Sequence, residues 1–368
     1  MKISILMSLA SPWSRLIAEK LSGLNNQVQI IDFETGGAKQ YLKKNDSIQI
    51  TEVDRLYQTV DRVDIIHSRV KSKLKYILYP FKLRTLLKDF GSDVLFSLYG
   101  GGYGTMAYLS RFHPYVVYIV GSDIMVMNFF KKIATRIMLK NAEIVFVNGK
   151  FLAGKTRDVC PSANIVPCYI GMDSEIFKPS KKKSSKIKII CTRGFLPIYN
   201  NAYIIDSISK LENSSLEYEM IFTSKGPLLE DVKQYADEIL TPEIRKKLFF
   251  LGGVTNEKLV QFLQSADIYL SMSRSDGTSI SMLEAMSCGL YPILSDIPQN
   301  REWLLEDNLS LVPLDQPEIF AQILGDVMKD IVNKRKAAQV NRKLIQDFAD
   351  INVNMRFLTD QLQSLKLS

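Results

Sequence analysis

Residues 268–295 read IYLSMSRSDGTSISMLEAMSCGLYPILS. The run opens as an apolar strand over 268–273, passes through RSDGTS, and continues as a helical stretch over 280–287. It stops at Cys288-Gly289 and resumes as a strand over 291–295. Short apolar runs bounded by Ser, Asp and Gly have the pattern of buried parallel strands. Gly289 suits the left-handed position just past a helix. Strand, helix and strand in this order predict a parallel βαβ unit, whose ligand-facing loop lies beyond the carboxyl end of its first strand.

That loop has the composition of an anion site. Gly277, Thr278 and Ser279 are small enough to let the backbone approach a ligand. The N–H groups that open the helix at Ile280 have no intrahelical acceptor and carry partial positive charge, which a diphosphate would satisfy. Asp276 and Glu284 stand on either side of this turn. A carboxylate beside a phosphate is repelled by it and is better suited to accept hydrogen bonds from hydroxyls. Asp276, nearer the phosphate end, is assigned to the transferred sugar, and Glu284 to the ribose. A plainer reading competes for the second: Ser281-Met-Leu-Glu284 also matches a capping box, in which the Glu only caps the helix.

Outward from this unit, apolar runs predict strands over 187–191, 218–223 and 248–251 in the second half. In the first half they predict strands over 2–9, 28–33, 65–67, 94–97, 115–120 and 144–147. Helical patterns such as 14–21, 83–89 and 129–140 lie between them. Such alternation predicts α/β architecture with doubly wound parallel sheets. Residues 178–186, KPSKKKSSK, are polar and read as a linker. The expected organisation is a Rossmann-like domain over 1–177, that linker, a second Rossmann-like domain over 187–345, and a C-terminal helix over 346–368 that packs back on the first domain.

Composition bounds the function. The chain has 368 residues and a net charge of +8. Residues 1–175 carry 23 Lys+Arg against 15 Asp+Glu, and the remainder 24 against 24, so the whole excess lies in the first half. Basic surfaces meet nucleic acid, anionic membrane or phosphorylated substrates. No helix-turn-helix, zinc-finger or RNP pattern is present, which argues against nucleic acid. The amino terminus reads as a first strand and not as a signal peptide, and no apolar run approaches the roughly 20 residues of a membrane helix. Four cysteines without a CxxC pair, and two histidines, give no metal or disulfide framework. A cytoplasmic protein is expected, peripheral at the inner face of the plasma membrane if it meets lipid.

The run SRSDGTSISMLEAMSCGLYPILSDIPQNREWL, 273–304, resembles the signature of the family-4 retaining glycosyltransferases (glycosyl transferases group 1), which have the GT-B fold. Asp276 stands where the family has its first Glu, and Glu284-Ala285-Met286 supplies the second. Further correspondences span nearly the whole chain. Val166-Pro-Cys-Tyr-Ile-Gly-Met-Asp173 with Phe177 and Pro179 resembles the junction between domains. Cys191-Thr-Arg193-Gly194, Lys225-Gly226-Pro227 and Phe250-Leu-Gly252 resemble strand ends of the donor domain. Gly100–Gly104 and Gly121-Ser122-Asp123 resemble loops that face the interdomain cleft.

The resemblance implies GT-B architecture: two Rossmann-like doubly wound domains facing a cleft. It also implies transfer of a hexose or N-acetylhexosamine from a nucleoside diphosphate sugar, UDP by preference, with retention and without a metal or other cofactor. Donor binding is expected at Arg193, Lys225, Arg274, Asp276, Gly277, Thr278, Ser279, Ile280 and Glu284. Acceptor-side contacts are expected at Ser11, Trp13, Gly101, Gly102, Tyr103, Ser122 and Asp123. Catalytic roles fall on Asp123, Arg193 and Asp276. Two departures stand out. Many relatives follow the donor Arg with a Lys that also grips the diphosphate; here Arg193-Gly-Phe-Leu-Pro has none, and Arg274 or Lys225 is expected to supply that charge. Many carry a cleft His where Val120 stands, so no acid–base His is carried over.

The acceptor is expected to be lipid-linked or part of a surface polysaccharide. Residues 69–88 (RVKSKLKYILYPFKLRTLLK, Arg69 to Lys88) mix basic with apolar side chains and are divided by Pro80. They read either as a segment lying on anionic membrane or as an amphipathic core helix with a solvated face. Two alternatives share the fold: a non-catalytic nucleotide-sugar-binding partner subunit, which the missing lysine and histidine keep open, and a sugar-nucleotide 2-epimerase, for which the expected histidines and acidic pairs are missing.

Overall fold

The computed structural model describes residues 1–8, 12–32, 75–180, 186–211 and 217–367. It consists of two compact units, Met1–Ile170 with Asn354–Ser368, and Gly171–Val353. The first unit holds β1 (Lys2–Leu6), β2 (Gln27–Ile31), β3 (Val94–Leu98), β4 (Tyr115–Ile119), β5 (Ile144–Val147) and β6 (Ile165–Pro167). They form one sheet in the order β2-β1-β3-β4-β5-β6, every neighbouring pair parallel. Strands β3, β4 and β5 are buried along their whole length, as parallel strands with helices on both faces must be. Leu95, Val117 and Val145 pack there against Leu83 and Leu139 from the flanking helices.

The second unit repeats the plan with β7 (Ile187–Cys191), β8 (Tyr218–Phe222), β9 (Leu248–Phe250), β10 (Ile268–Ser271), β11 (Tyr291–Ser295) and β12 (Ser310–Val312). Their order is β12-β11-β10-β7-β8-β9, again all parallel. The chain therefore builds outward from β7 to β9, then returns to the other side of β7 to lay down β10. A reversal of this kind opens a crevice at the carboxyl ends of the two strands that flank it. In this sheet those strands are β7 and β10; in the first sheet they are β1 and β3.

Several local expectations change. Strands β6 and β12, not expected from the sequence, have three residues each and are only partly buried. Pro80 does not divide its segment: one helix runs from Lys75 to Phe90 with Pro80 inside it. Its Tyr79, Leu83 and Leu87 are buried while Lys82, Arg84 and Lys88 face solvent, which is the core-helix pattern. Residues 69–74 lie outside the described residues, as do the strand expected over 65–67 and His67. The last helix begins at Ile351, and its residues from Asn354 onward belong to the first unit, where Lys366 pairs with Asp93 at 3.1 Å.

Candidate functional site: the carboxyl ends of β7 and β10

The loop after β7 carries Arg193, and the loop after β10 carries Asp276, so the topological reversal sets the two side by side. Each loop is fixed by its own packing. Phe195 is buried against Phe222 and Phe250, whose rings stack at 4.7 Å. The Phe195 N–H donates to the carbonyl of Lys225 at 3.0 Å, and the Leu228 N–H donates to the carbonyl of Phe195 at 3.1 Å. A Cβ at Gly226 would lie 2.4 Å from the Phe195 carbonyl oxygen, so this close backbone crossing requires glycine. Asn201 Nδ2 donates to the Gly194 carbonyl at 3.0 Å and completes the loop.

Beyond β10, the helix Ile280–Ser287 is capped by Ser279, whose Oγ accepts from the Met282 N–H at 3.4 Å. Ser281 therefore lies inside the first turn and is not the cap. The Ser281–Glu284 capping box is excluded, and Glu284 has no capping duty. Gly289 follows the helix with φ of +80°, the left-handed conformation expected of it.

Arg193 is the centre of the site. It is 8 % exposed. Its Nη1 donates to Ser279 Oγ at 2.8 Å and to Ser281 Oγ at 2.9 Å. Its Nη2 donates to Asp276 Oδ2 at 2.6 Å. The guanidinium lies 4.0 Å from the ring centre of Tyr199, a cation–π contact. Its Nε–H is buried and has no acceptor. Unpaired buried donors are rare, and each costs about 1–3 kcal/mol unless something binds there. Tyr199, Ser279 and Ser281 thus form a cradle for a cation that sequence reading singled out only as an isolated Arg.

Asp276 faces two ways. Its Oδ2 takes Arg193, and its Oδ1 accepts the Gly277 N–H at 2.9 Å. Burial pushes its carboxyl above the usual carboxylate range, against the pull of Arg193 and of that N–H. Glu284 projects from the middle of the Ile280–Ser287 helix. Burial pushes its carboxyl up to about 8, so at neutral pH it is largely protonated. Of the two carboxyls expected to meet hydroxyls, Asp276 is paired with a cation, and burial favours the neutral form of Glu284.

The cations proposed to complement Arg193 also separate. Arg274 is bound at both ends of its fork by Asp315, at 2.9 and 3.3 Å, and so is already engaged. Nothing in the sequence linked positions 274 and 315. Lys225 is exposed, and its stem crosses Gly253, where an added Cβ would lie 2.7 Å from its Cε. It follows β8, the strand next to β7, whereas the Arg274–Asp315 pair is an exposed surface pair.

In the first unit, the expected acceptor-side residues form a backbone clamp. Asp123 is 7 % exposed. Its Oδ2 accepts the N–H of Gly100 at 2.8 Å and of Val120 at 3.3 Å, and its Oδ1 accepts the N–H of Gly121 at 2.8 Å. The carboxylate ties the loop after β3 to the loop after β4. Burial pushes it above the usual range, and those three amides oppose the shift. Ser122 Oγ lies 3.0 Å from Tyr99 Oη, closing the same junction. A Cβ at Gly100 would lie 2.4 Å from Ile119 Cδ1, and one at Gly101 would lie 2.9 Å from the Tyr99 ring. Gly102 opens the helix Gly102–Ser110, and Tyr103 is buried with its hydroxyl donating to Asp32 at 2.7 Å. Asp123 and Tyr103 are thus spent on internal bonds. Ser11 and the side chain of Trp13 lie outside the described residues.

Two family models match the chain. Glycosyl transferases group 1 matches residues 172–343, and glycosyl transferase 4-like matches residues 10–149. EpsF of Bacillus subtilis (strain 168), a protein assigned as a glycosyltransferase, is 22 % identical over 161 residues, covering 40 % of each chain. The match thus spans less than half the length of that relative. The GDP-mannose:cellobiosyl-diphosphopolyprenol alpha-mannosyltransferase of Xanthomonas oryzae pv. oryzae (strain PXO99A) is 48 % identical over 44 residues, 12 % of each chain. The crystal structure of Anabaena Alr3699/HepE in complex with UDP superposes with a TM-score of 0.78 at 14 % identity, covering 99 % of this chain and 100 % of the other. With two six-stranded parallel sheets and both family models on one chain, the protein is a group 1 glycosyltransferase of the GT-B fold.

Proposed function

We propose that the Gly171–Val353 unit binds a nucleoside diphosphate sugar at the ends of β7 and β10, and that the chain transfers its hexose or N-acetylhexosamine with retention. The observation that carries this reading is Arg193: a buried cation held by Tyr199, Ser279 and Ser281, with an unpaired Nε–H. A diphosphate oxygen supplies the missing acceptor. The N–H groups opening the Ile280–Ser287 helix and the exposed Lys225 spread the rest of the charge.

In this reading Asp276 and the diphosphate compete for Arg193. Donor binding turns the Asp276 carboxyl away from Nη2 and toward the sugar hydroxyls, while Glu284 accepts from the ribose. The bond between the anomeric carbon and the diphosphate oxygen then breaks as an acceptor oxygen joins the same face. The acceptor proton passes to the departing phosphate, so no side-chain base is required and no metal is assigned. Asp123 acts as a positioning residue that holds the β3 and β4 loops.

UDP is the preferred nucleotide because the Anabaena structure that matches nearly the whole chain holds UDP. The Xanthomonas relative, named for GDP-mannose, matches only a short run. Its name also carries a diphosphopolyprenol acceptor, in keeping with a lipid-linked or surface-polysaccharide acceptor here. The test is transfer from radiolabelled UDP-sugars to a bacterial lipid extract with EDTA present, with the anomeric configuration of the product read by NMR. Retained configuration in EDTA is expected. Inversion, or strict dependence on added metal, would contradict the proposal.

A further inference from the structure

The helix Phe129–Asn141 has an apolar face toward the core and a second one toward solvent. Thr135, Met138 and Leu139 are buried. On the opposite side Phe129 is 72 % exposed, Phe130 80 %, Ile133 45 % and Ile137 44 %, and Val126 just before the helix is 75 % exposed. At about 100° per residue the four side chains within the helix, Phe129, Phe130, Ile133 and Ile137, fall within roughly 100° of arc, centred opposite the buried face. Phe129 and Phe130 meet edge to face at 5.9 Å, forming one aromatic tip. Single exposed apolar residues are ordinary, but a contiguous apolar face needs a cover.

Charge identifies the cover. The helix sequence FFKKIATRIMLKN contains no acidic residue. Lys132, Arg136 and Lys140 follow one edge of the apolar arc, and Lys131 lies on the other side; all four are exposed. Lysine and arginine stems extend along apolar surface while their charged ends reach outward, the arrangement of a helix lying in a lipid–water interface. A second copy of this chain fits badly, because a shared interface would bring two such basic rows together. The net charge of +8 resides wholly in the half of the sequence that contains this helix.

We infer that the exposed face of the Phe129–Asn141 helix docks on an anionic lipid surface, with Phe129 and Phe130 inserted at the headgroup level and Lys132, Arg136 and Lys140 on the phosphates. Among the described residues no helix is long and apolar enough to cross a membrane, so this contact is peripheral. Residues 79–88 expose one large apolar side chain, Phe81 at 65 %, whereas the Phe129–Asn141 helix exposes four. The inference stands on the surface of the first unit alone and is independent of donor binding.

Co-sedimentation of the full chain tests it, using phosphatidylcholine vesicles and vesicles of phosphatidylcholine and phosphatidylglycerol in equal parts. Binding is expected to the mixed vesicles, to fall as salt rises, and to weaken roughly fivefold for each charge removed in K132Q and R136Q. F129S/F130S should lose binding at least tenfold with an unchanged melting temperature, and I133S/I137S should do the same if the first pair proves poorly soluble. Vesicle binding that ignores both apolar pairs, or that is equal on phosphatidylcholine alone, overturns the inference. So does a dimer in solution that these variants dissolve while vesicles bind nothing.

Discussion

Arg193 and Asp276 were both legible as functional residues, Arg193 from the resemblance of Cys191-Thr-Arg193-Gly194 to the family's donor domain and Asp276 from its place before a helix. Their 2.6 Å pairing was not, because it joins positions 83 apart through the reversal between β7 and β10. The same holds for Arg274, whose partner Asp315 lies 41 positions away. Local sequence shows which residue types are available, and topology decides which of them meet. Glu284 yields a prediction at this scale. Its carboxyl value is raised, so the neutral form is favoured in the fold. Its contribution to stability is full below about 4.5 and is lost as pH rises through about 8. E284Q should therefore flatten the fall of stability over that window, measured by denaturant unfolding at a series of pH values. Ribose hydroxyls donating to Glu284 favour its ionised form, so UDP binding near pH 7 should release protons from the wild type and fewer from E284Q. Calorimetry in buffers of different ionisation enthalpy measures this, and equal heats in all buffers would remove Glu284 from the ribose site.

At the scale of elements, long buried strands were read well from their apolar runs, whereas β6 and β12 were missed because each has three residues and only Val312 among them is buried. Pro80 was read as a break, but the helix around it buries Tyr79, Leu83 and Leu87 and so continues through it. The helix opens at Ile280 as expected, and its cap Ser279 excludes the competing capping box at Ser281. S279A should remove both that cap and an acceptor of Arg193. The expected cost is about 1 kcal/mol of stability, together with a measurable loss of UDP affinity by calorimetry. Gly226 gives a sharper case, because the Phe195 carbonyl occupies the space of a side chain. G226A should destabilise the second unit by roughly 1–3 kcal/mol or more, the usual cost of overpacking, read by chemical denaturation.

At the scale of the whole molecule, strand and helix alternation sufficed for the fold class, and the dense 273–304 run sufficed for the family. The acceptor-side residues were less legible. Loops after β3 and β4 were expected to present Asp123 and Tyr103, but three backbone amides claim the one and Asp32 claims the other. A loop carboxylate that folds back on its own backbone looks the same in sequence as one that points outward. If the donor site belongs to the second unit alone, UDP should slow hydrogen exchange in the loops at 192–200 and 272–284. At 100 times its dissociation constant it should add roughly 2.7 kcal/mol to the stability of that unit. Protection centred on the first sheet would contradict this assignment.

The central claim is that a buried, four-sided cradle around Arg193 is where a nucleoside diphosphate binds. Titration of UDP into the wild type and into R193A and R193K, by calorimetry in EDTA, tests it most directly. The account predicts that the wild type binds, that R193A loses affinity by roughly 10- to 100-fold, as expected for a charge-assisted phosphate contact worth about 1.5–3 kcal/mol, and that R193K restores little of it, because an ammonium cannot fill the fork between Ser279, Ser281 and the phosphate. UDP binding of equal strength in all three proteins would contradict it.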